Sequence, residues 1–179
     1  MTEDFVGNAV ADTAERIITL DTITKGASVR PPRIVLYAPP GVGKTTWAAS
    51  APKPIFLPVE DGLGTIAVPH FPVLKSWREV ETALHSLAVA EKCPYKTVVI
   101  DSLDALETLI WKMVEVESGK RVEDHGFGKG YLLASDIWNR TLGFLDRLSE
   151  IHGLSVILIA HSDIKPFNSP ETDPYDRYV

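Results

Sequence analysis

Arg33-Ile34-Val35-Leu36-Tyr37-Ala38-Pro39-Pro40-Gly41-Val42-Gly43-Lys44-Thr45-Thr46 is the stretch that decides the fold. Ile34 to Tyr37 is apolar and rich in strand formers, the mark of a central strand in an α/β sheet. It runs straight into a turn of two prolines and two glycines. Gly41 and Gly43 free the backbone to turn its N–H groups inward. Those groups, with the first turn of a following helix, can hold phosphate oxygens. Pro39, Pro40, Gly41, Val42, Gly43, Lys44, Thr45 and Thr46 are therefore the candidate nucleotide-binding residues. Lys44 supplies a cation for the β- and γ-phosphates, and the Thr45 hydroxyl is placed for Mg²⁺. The P-loop pattern G-x-x-x-x-G-K-[ST] asks for Gly where this chain has Ala38, a position that needs little room rather than a positive φ. The helix is expected to run through Ala49 and stop before Pro52.

Three further blocks carry chemistry. Ile55 to Val59 reads as a strand, with Pro58 placing it at a sheet edge or a strand end. It terminates in Glu60 and Asp61, and functional groups of open α/β sheets collect at the carboxyl ends of strands. Lys96 to Asp101 is a β-branched strand whose terminal Asp101 suits Mg²⁺ opposite Thr45. Many ring-forming P-loop ATPases carry Glu directly after that Asp, as the group that orients water; here the residue is Ser102, which leaves Glu60 as the best candidate. Asp104 and Glu107 are expected to turn away from the phosphates. Leu154 to Ala160 reads as a buried strand ending in His161-Ser162. His161 there can sense a γ-phosphate or be structural.

The helices are expected from periodicity. One starts after Ser76 as N-cap, with Val80, Leu84 and Leu87 on one face and Pro94 closing it. A second spans Leu103 to Val116 and buries Leu106, Leu109, Ile110 and Met113. A third spans Leu132 to His152, with Leu133, Ile137, Leu142, Leu145 and Leu148 as its apolar set and Gly153 as C-cap. Phe71 to Leu74 reads as a short strand, Val10 to Ile18 as a short helix, and Thr19 to Lys25 as an edge strand. Residues 1–30 form an N-terminal extension to one domain over 31–179. Glu117 to Tyr131 gathers four glycines with Lys120, Arg121, His125, Phe127, Lys129 and Tyr131. Such a loop suits single-stranded nucleic acid through phosphate pairing and base stacking. A solvated loop with its aromatics tucked into the core fits the same composition. The tail from Asp163 to Val179 holds Lys165 and shows no apolar periodicity.

Composition sets outer bounds. A chain of 179 residues with 45% hydrophobic and 23% charged residues is long enough for a full core. A net charge of −6 argues against a wholly basic nucleic-acid coat and leaves room for a local basic groove. The single cysteine, Cys93, excludes a disulfide framework and suits a reducing cytosol. No apolar run approaches a membrane span, and Met1-Thr2-Glu3-Asp4 lacks the order of a signal peptide, so no membrane partner is expected.

Ala38-to-Thr46, Phe56-to-Gly62, Val98-to-Glu107 and Val156-to-Ser162 together resemble the RecA-like core. More closely, the chain is similar to phage-encoded, core-only RecA-like ATPases of the single-strand annealing and recombination type, AAA-domain nucleotide-binding proteins. His125-Gly-Phe-Gly-Lys-Gly-Tyr131 and Pro174-Tyr-Asp-Arg-Tyr178 are typical of that group. The resemblance covers about residues 16–179. It implies an α/β fold, a RecA-like P-loop NTPase with a mainly parallel sheet and helices on both faces, lacking C-terminal elements that relatives carry. One sheet edge is then expected to stand open. It also implies ATP and Mg²⁺ as cofactors, with Lys44, Glu60 and His161 catalytic, Glu60 polarising the attacking water, and Thr45 and Asp101 holding the metal. His161 stands where bacterial RecA proteins have glutamine. Lys120, Arg121 and Lys129 fall in a first DNA-binding loop, and Lys165 in a second. The implied activity is Mg²⁺-dependent ATP hydrolysis with single-stranded DNA binding and annealing or strand exchange, in the bacterial host cytoplasm. The implied partners are further copies in a ring or filament and a phage or host single-strand binding protein. The alternatives are a P-loop motor or loader acting on a replication protein, a small-molecule kinase, and a nucleotide-binding assembly module without turnover.

Overall fold

The computed structural model describes residues 19–23, 26, 30–167 and 175–178. Its main sheet has four parallel strands: β1 (Arg33–Ala38), β2 (Pro54–Pro58), β3 (Thr97–Asp101) and β4 (Ser155–His161). Their spatial order is β1-β4-β3-β2. Four helices accompany them: α1 (Lys44–Ala49), α2 (Trp77–Ala88), α3 (Leu103–Ser118) and α4 (Lys129–His152). A separate antiparallel pair joins β5 (Ile164–Phe167) to β6 (Tyr175–Tyr178), with Lys165 in register with Arg177.

Alternation along the strands splits the core in two. Ile55, Leu57, Val59, Val98, Ile100 and Val156 face α2, α3 and α4, in one cluster with Leu84, Leu106, Ile110 and Leu148. Phe56, Val99, Ile157 and Ile159 face the other way, where Ala48 of α1 joins them. Helices thus cover both faces, as α/β patterning requires. Each fully buried Leu, Ile or Phe is worth about 1.5–3 kcal/mol relative to exposure.

Two strands stand at edges. β2 takes its expected edge position, and its free side is partly covered by an extended segment: Phe56 N–H donates to Pro69 O, Phe71 N–H to Phe56 O, and Leu74 N–H to Pro58 O. The expected strand at Phe71 to Leu74 is thus an extended strap with one bridge at His70. β1 differs from the central position expected of it. Among the described residues only β4 pairs with it, and Val35 and Tyr37, on the α2–α4 face, are 58% and 66% exposed.

α2 starts as expected. Ser76 Oγ accepts the Glu79 N–H at 3.2 Å, and the Glu79 carboxylate accepts the Lys75 N–H at 2.8 Å, two open donors satisfied together. α2 ends at Ala88, six residues before Pro94, and α3 runs two residues past Val116. α4 begins three residues before Leu132, and its inward face differs from the expected one. Ala134, Ile137, Thr141, Leu145 and Leu148 are buried, whereas Leu133 and Leu142 are 42% and 43% exposed. Thr141 faces inward because its hydroxyl donates to Ile137 O and accepts the Trp77 indole N–H at 2.9 Å. Arg140 lies 4.5 Å above the Trp77 ring and reaches Glu81. A polar anchor has taken the place of a leucine.

Near the start of the chain, Leu20–Thr22 is a 3-10 turn rather than an edge strand, closed by the Thr22 hydroxyl on Thr19 O. The expected helix at Val10 to Ile18 lies outside the described residues.

Candidate nucleotide site

β1 ends at Ala38, and the chain then wraps through Pro39 to Gly43 into α1. Gly41 and Gly43 have φ of +81° and +92°, which a side chain would strain, and the space where a Cβ would stand is open. Lys44 is 7% exposed, and its ammonium donates to the carbonyls of Ala38 and Pro39 at 2.7 and 3.0 Å. The lysine is thereby folded back over the loop it serves. At the next position Thr45 Oγ1 donates to Asp101 Oδ2 at 2.8 Å, joining α1 to the tip of β3 across β4.

Glu60 is brought to the same place by main-chain bonding. Pro58 pairs with Asp101 in register, and Val59 N–H donates to Asp101 O at 2.7 Å. β4 delivers His161 beside Ala38, with Ser162 N–H donating to Ala38 O. Gly41, Gly43, Lys44, Thr45, Glu60, Asp101 and His161 all line a cleft of about 420 Å³, together with Thr46, Asp61, Gly62 and Ile66. Pro39, Pro40 and Val42 belong to the loop and do not line the cleft.

Asp101 is 4% exposed. Burial pushes its carboxyl above the usual range; the Thr45 hydroxyl pulls it down, Glu60 pushes it up, and His161 and Lys44 pull it down. A buried carboxylate flanked by a second one favours a cation. These residues fit a nucleoside triphosphate with Mg²⁺. The glycines give room for phosphate oxygens, and Thr45 and Asp101 supply the few protein oxygens that Mg²⁺ uses beside phosphate and water. No group of three or more His, Cys, Asp or Glu side chains that could hold a metal ion exists among the described residues.

Two positions next to Asp101 differ in role. Ser102 is fully buried as the N-cap of α3, its Oγ accepting the Ala105 N–H, and the peptide before it is cis. Asp104 does not turn away. Its Oδ2 accepts the His161 main-chain N–H at 2.8 Å and lies 3.2 Å from His161 Nδ1. No local pattern marks this contact, because it joins residues 57 apart.

None of the expected DNA residues is among those that line this cleft. The loop after α3 contains two short 3-10 turns, Val122–Asp124 and Gly126–Gly128. Arg121 is held by Asp124 through two hydrogen bonds of 2.9 and 3.1 Å, which raises the guanidinium pKa and lowers that of Asp124. It is therefore a paired ion, unlike a bare phosphate contact. Lys120, Lys129 and Lys165 are exposed. Tyr131 meets Trp111 edge to face at 6.2 Å. Phe127, with φ of +57° between Gly126 and Gly128, is wholly exposed. Its ring is not tucked into the core.

A parallel sheet that presents a glycine loop, Lys44, Thr45 and Asp101 to one cleft defines a P-loop NTPase-type nucleotide-binding domain. A family model described as an AAA domain matches residues 30–179, and the chain belongs to that family. It is also similar to the SPbeta prophage-derived uncharacterized protein YorG of Bacillus subtilis (strain 168), at 30% identity over 135 residues. That match covers 72% of this chain and 40% of the relative, so the chain spans about two fifths of that protein. No helix among the described residues is long and apolar enough to cross a membrane.

Proposed function

We propose that the chain is a Mg²⁺-dependent ATP hydrolase of the RecA-like recombination type, whose nucleotide state controls a grip on single-stranded DNA during annealing or strand exchange. The observation that carries the ATPase reading is the convergence of Lys44, Thr45, Asp101, Glu60 and His161 on one cleft. Thr45 and Asp101 would hold Mg²⁺, which would supply neutralisation of phosphate charge. The Lys44 ammonium exchanges its two carbonyl partners for phosphate oxygens. Glu60 is free of Ser102's capping duty and orients water for in-line attack. His161 faces the terminal phosphate from the tip of β4.

Phe127 supports the DNA reading. A fully exposed phenylalanine held between two glycines, with Lys120 and Lys129 nearby in sequence, can stack on a base while the lysines meet phosphates. The prophage origin of the relative suits a phage recombination protein working in the host cytoplasm. Assembly into a ring or filament, and contact with a single-strand binding protein, belong to the same reading.

The test is ATP turnover with and without single-stranded DNA, beside DNA-binding isotherms. The expected result is stimulated turnover, with Phe127→Ala weakening binding by about 5- to 150-fold, the range for one lost base stack. Lys129→Ala should weaken binding and flatten its salt dependence. Unstimulated turnover together with wild-type DNA affinity of Phe127→Ala would overturn the DNA reading and leave the ATPase reading standing.

A further inference from the structure

We infer that Asp104 is the positioning residue for His161, setting which ring nitrogen faces the terminal phosphate. This rests on the reading that His161 faces that phosphate. A carboxylate in the first turn of α3 would ordinarily be explained by the helix dipole alone. Here Oδ2 instead reaches the end of β4 and meets both the His161 main-chain N–H and Nδ1. With the carboxylate as acceptor, Nδ1 carries the proton, and Nε2 is the atom left for the cleft. The main chain at this point is fixed from both sides. His161 N–H is held by Asp104, and Ser162 N–H by the Ala38 carbonyl that also takes Lys44. Ring and backbone are therefore set by one carboxylate, and neither needs the nucleotide to be placed.

The first test compares Mg²⁺-dependent binding of ADP and of a non-hydrolysable ATP analogue to wild type, His161→Ala, Asp104→Ala, Asp104→Asn and the double alanine variant. His161→Ala should reduce the preference for the triphosphate about tenfold, the loss of one hydrogen bond to a charged group. Asp104→Ala should lose a similar factor, and the double variant no more than His161→Ala alone, with ADP affinity changed less than about threefold throughout. Asp104→Asn, whose amide oxygen still accepts both N–H groups, should retain most of the preference. If His161→Ala loses the preference and Asp104→Ala keeps it, or the two losses add, the inference fails and the His161 reading survives. If His161→Ala keeps the preference, both fail. A second test needs no change at Asp104: imidazole ¹⁵N spectra of the wild type, assigned with His161→Ala, should show neutral His161 protonated at Nδ1. Protonation at Nε2 instead would overturn the inference.

Discussion

Asp101→Asn should separate stability from function in a way that follows from the charge's surroundings. The side chain is 4% exposed, and burial is the largest influence on its carboxyl, raising its pKa above 3.8. A group with a raised folded pKa favours folding fully below its unfolded value, and that contribution is lost as pH rises through the folded pKa. The nucleotide-free wild type therefore loses that contribution, and carries a cost for the buried group, as pH rises above 3.8 toward neutrality. Asparagine removes that cost, and its amide oxygen still accepts from Thr45. Without nucleotide, the variant should melt higher than wild type at neutral pH, with the gap closing as pH falls toward 3.8. Nucleotide with Mg²⁺ should reverse the benefit. A ligand at 100 times its Kd adds about 2.7 kcal/mol, a rise of ~5–11 °C for a domain of this size. Loss of a carboxylate that orients the metal costs about 10- to 100-fold in affinity. At ~30-fold weaker binding the same ligand concentration adds only about 0.9 kcal/mol, or ~2–3 °C. Thermal melts with and without Mg²⁺ and ATP across pH provide the assay. A nucleotide-free variant less stable than wild type at neutral pH, with an undiminished ligand shift, would refute the reasoning.

Packing yields two further expectations. Leu148→Ala, at a fully buried position, should cost about 2–5 kcal/mol, whereas Leu142→Ser should stay within ~0.5 kcal/mol; denaturant melts decide which leucines of α4 form the core. Gly130→Ala would set a Cβ 2.1 Å from the Val122 carbonyl oxygen. It should cost about 1–3 kcal/mol and loosen the 119–128 loop, read as a lower melting temperature and faster hydrogen exchange there.

What was legible in the sequence is what local spacing encodes. The strand, glycine turn and Lys44-Thr45 stand together in the chain, so the loop and its helix could be read directly. Asp101 and Glu60 could be found because each ends a β-branched or apolar run. Side-chain partnerships across the fold were hidden. Thr141 displaces Leu142 from the core because an indole on α2 needs an acceptor. Asp104 meets His161 because α3 starts beside the tip of β4. Arg121 reads as a free cation in the chain, and in the fold Asp124 holds it. The β5–β6 pair was not legible because each strand has only four residues and Pro166 interrupts the first, too little for a period to show.

The most direct test of the account is hydrolysis by Glu60→Gln under single-turnover conditions with Mg²⁺ and ATP, beside nucleotide affinity. The account predicts hydrolysis slowed by about 10²- to 10⁴-fold, the usual share of a proton-accepting group, with affinity held within about threefold. Wild-type hydrolysis by Glu60→Gln would contradict it.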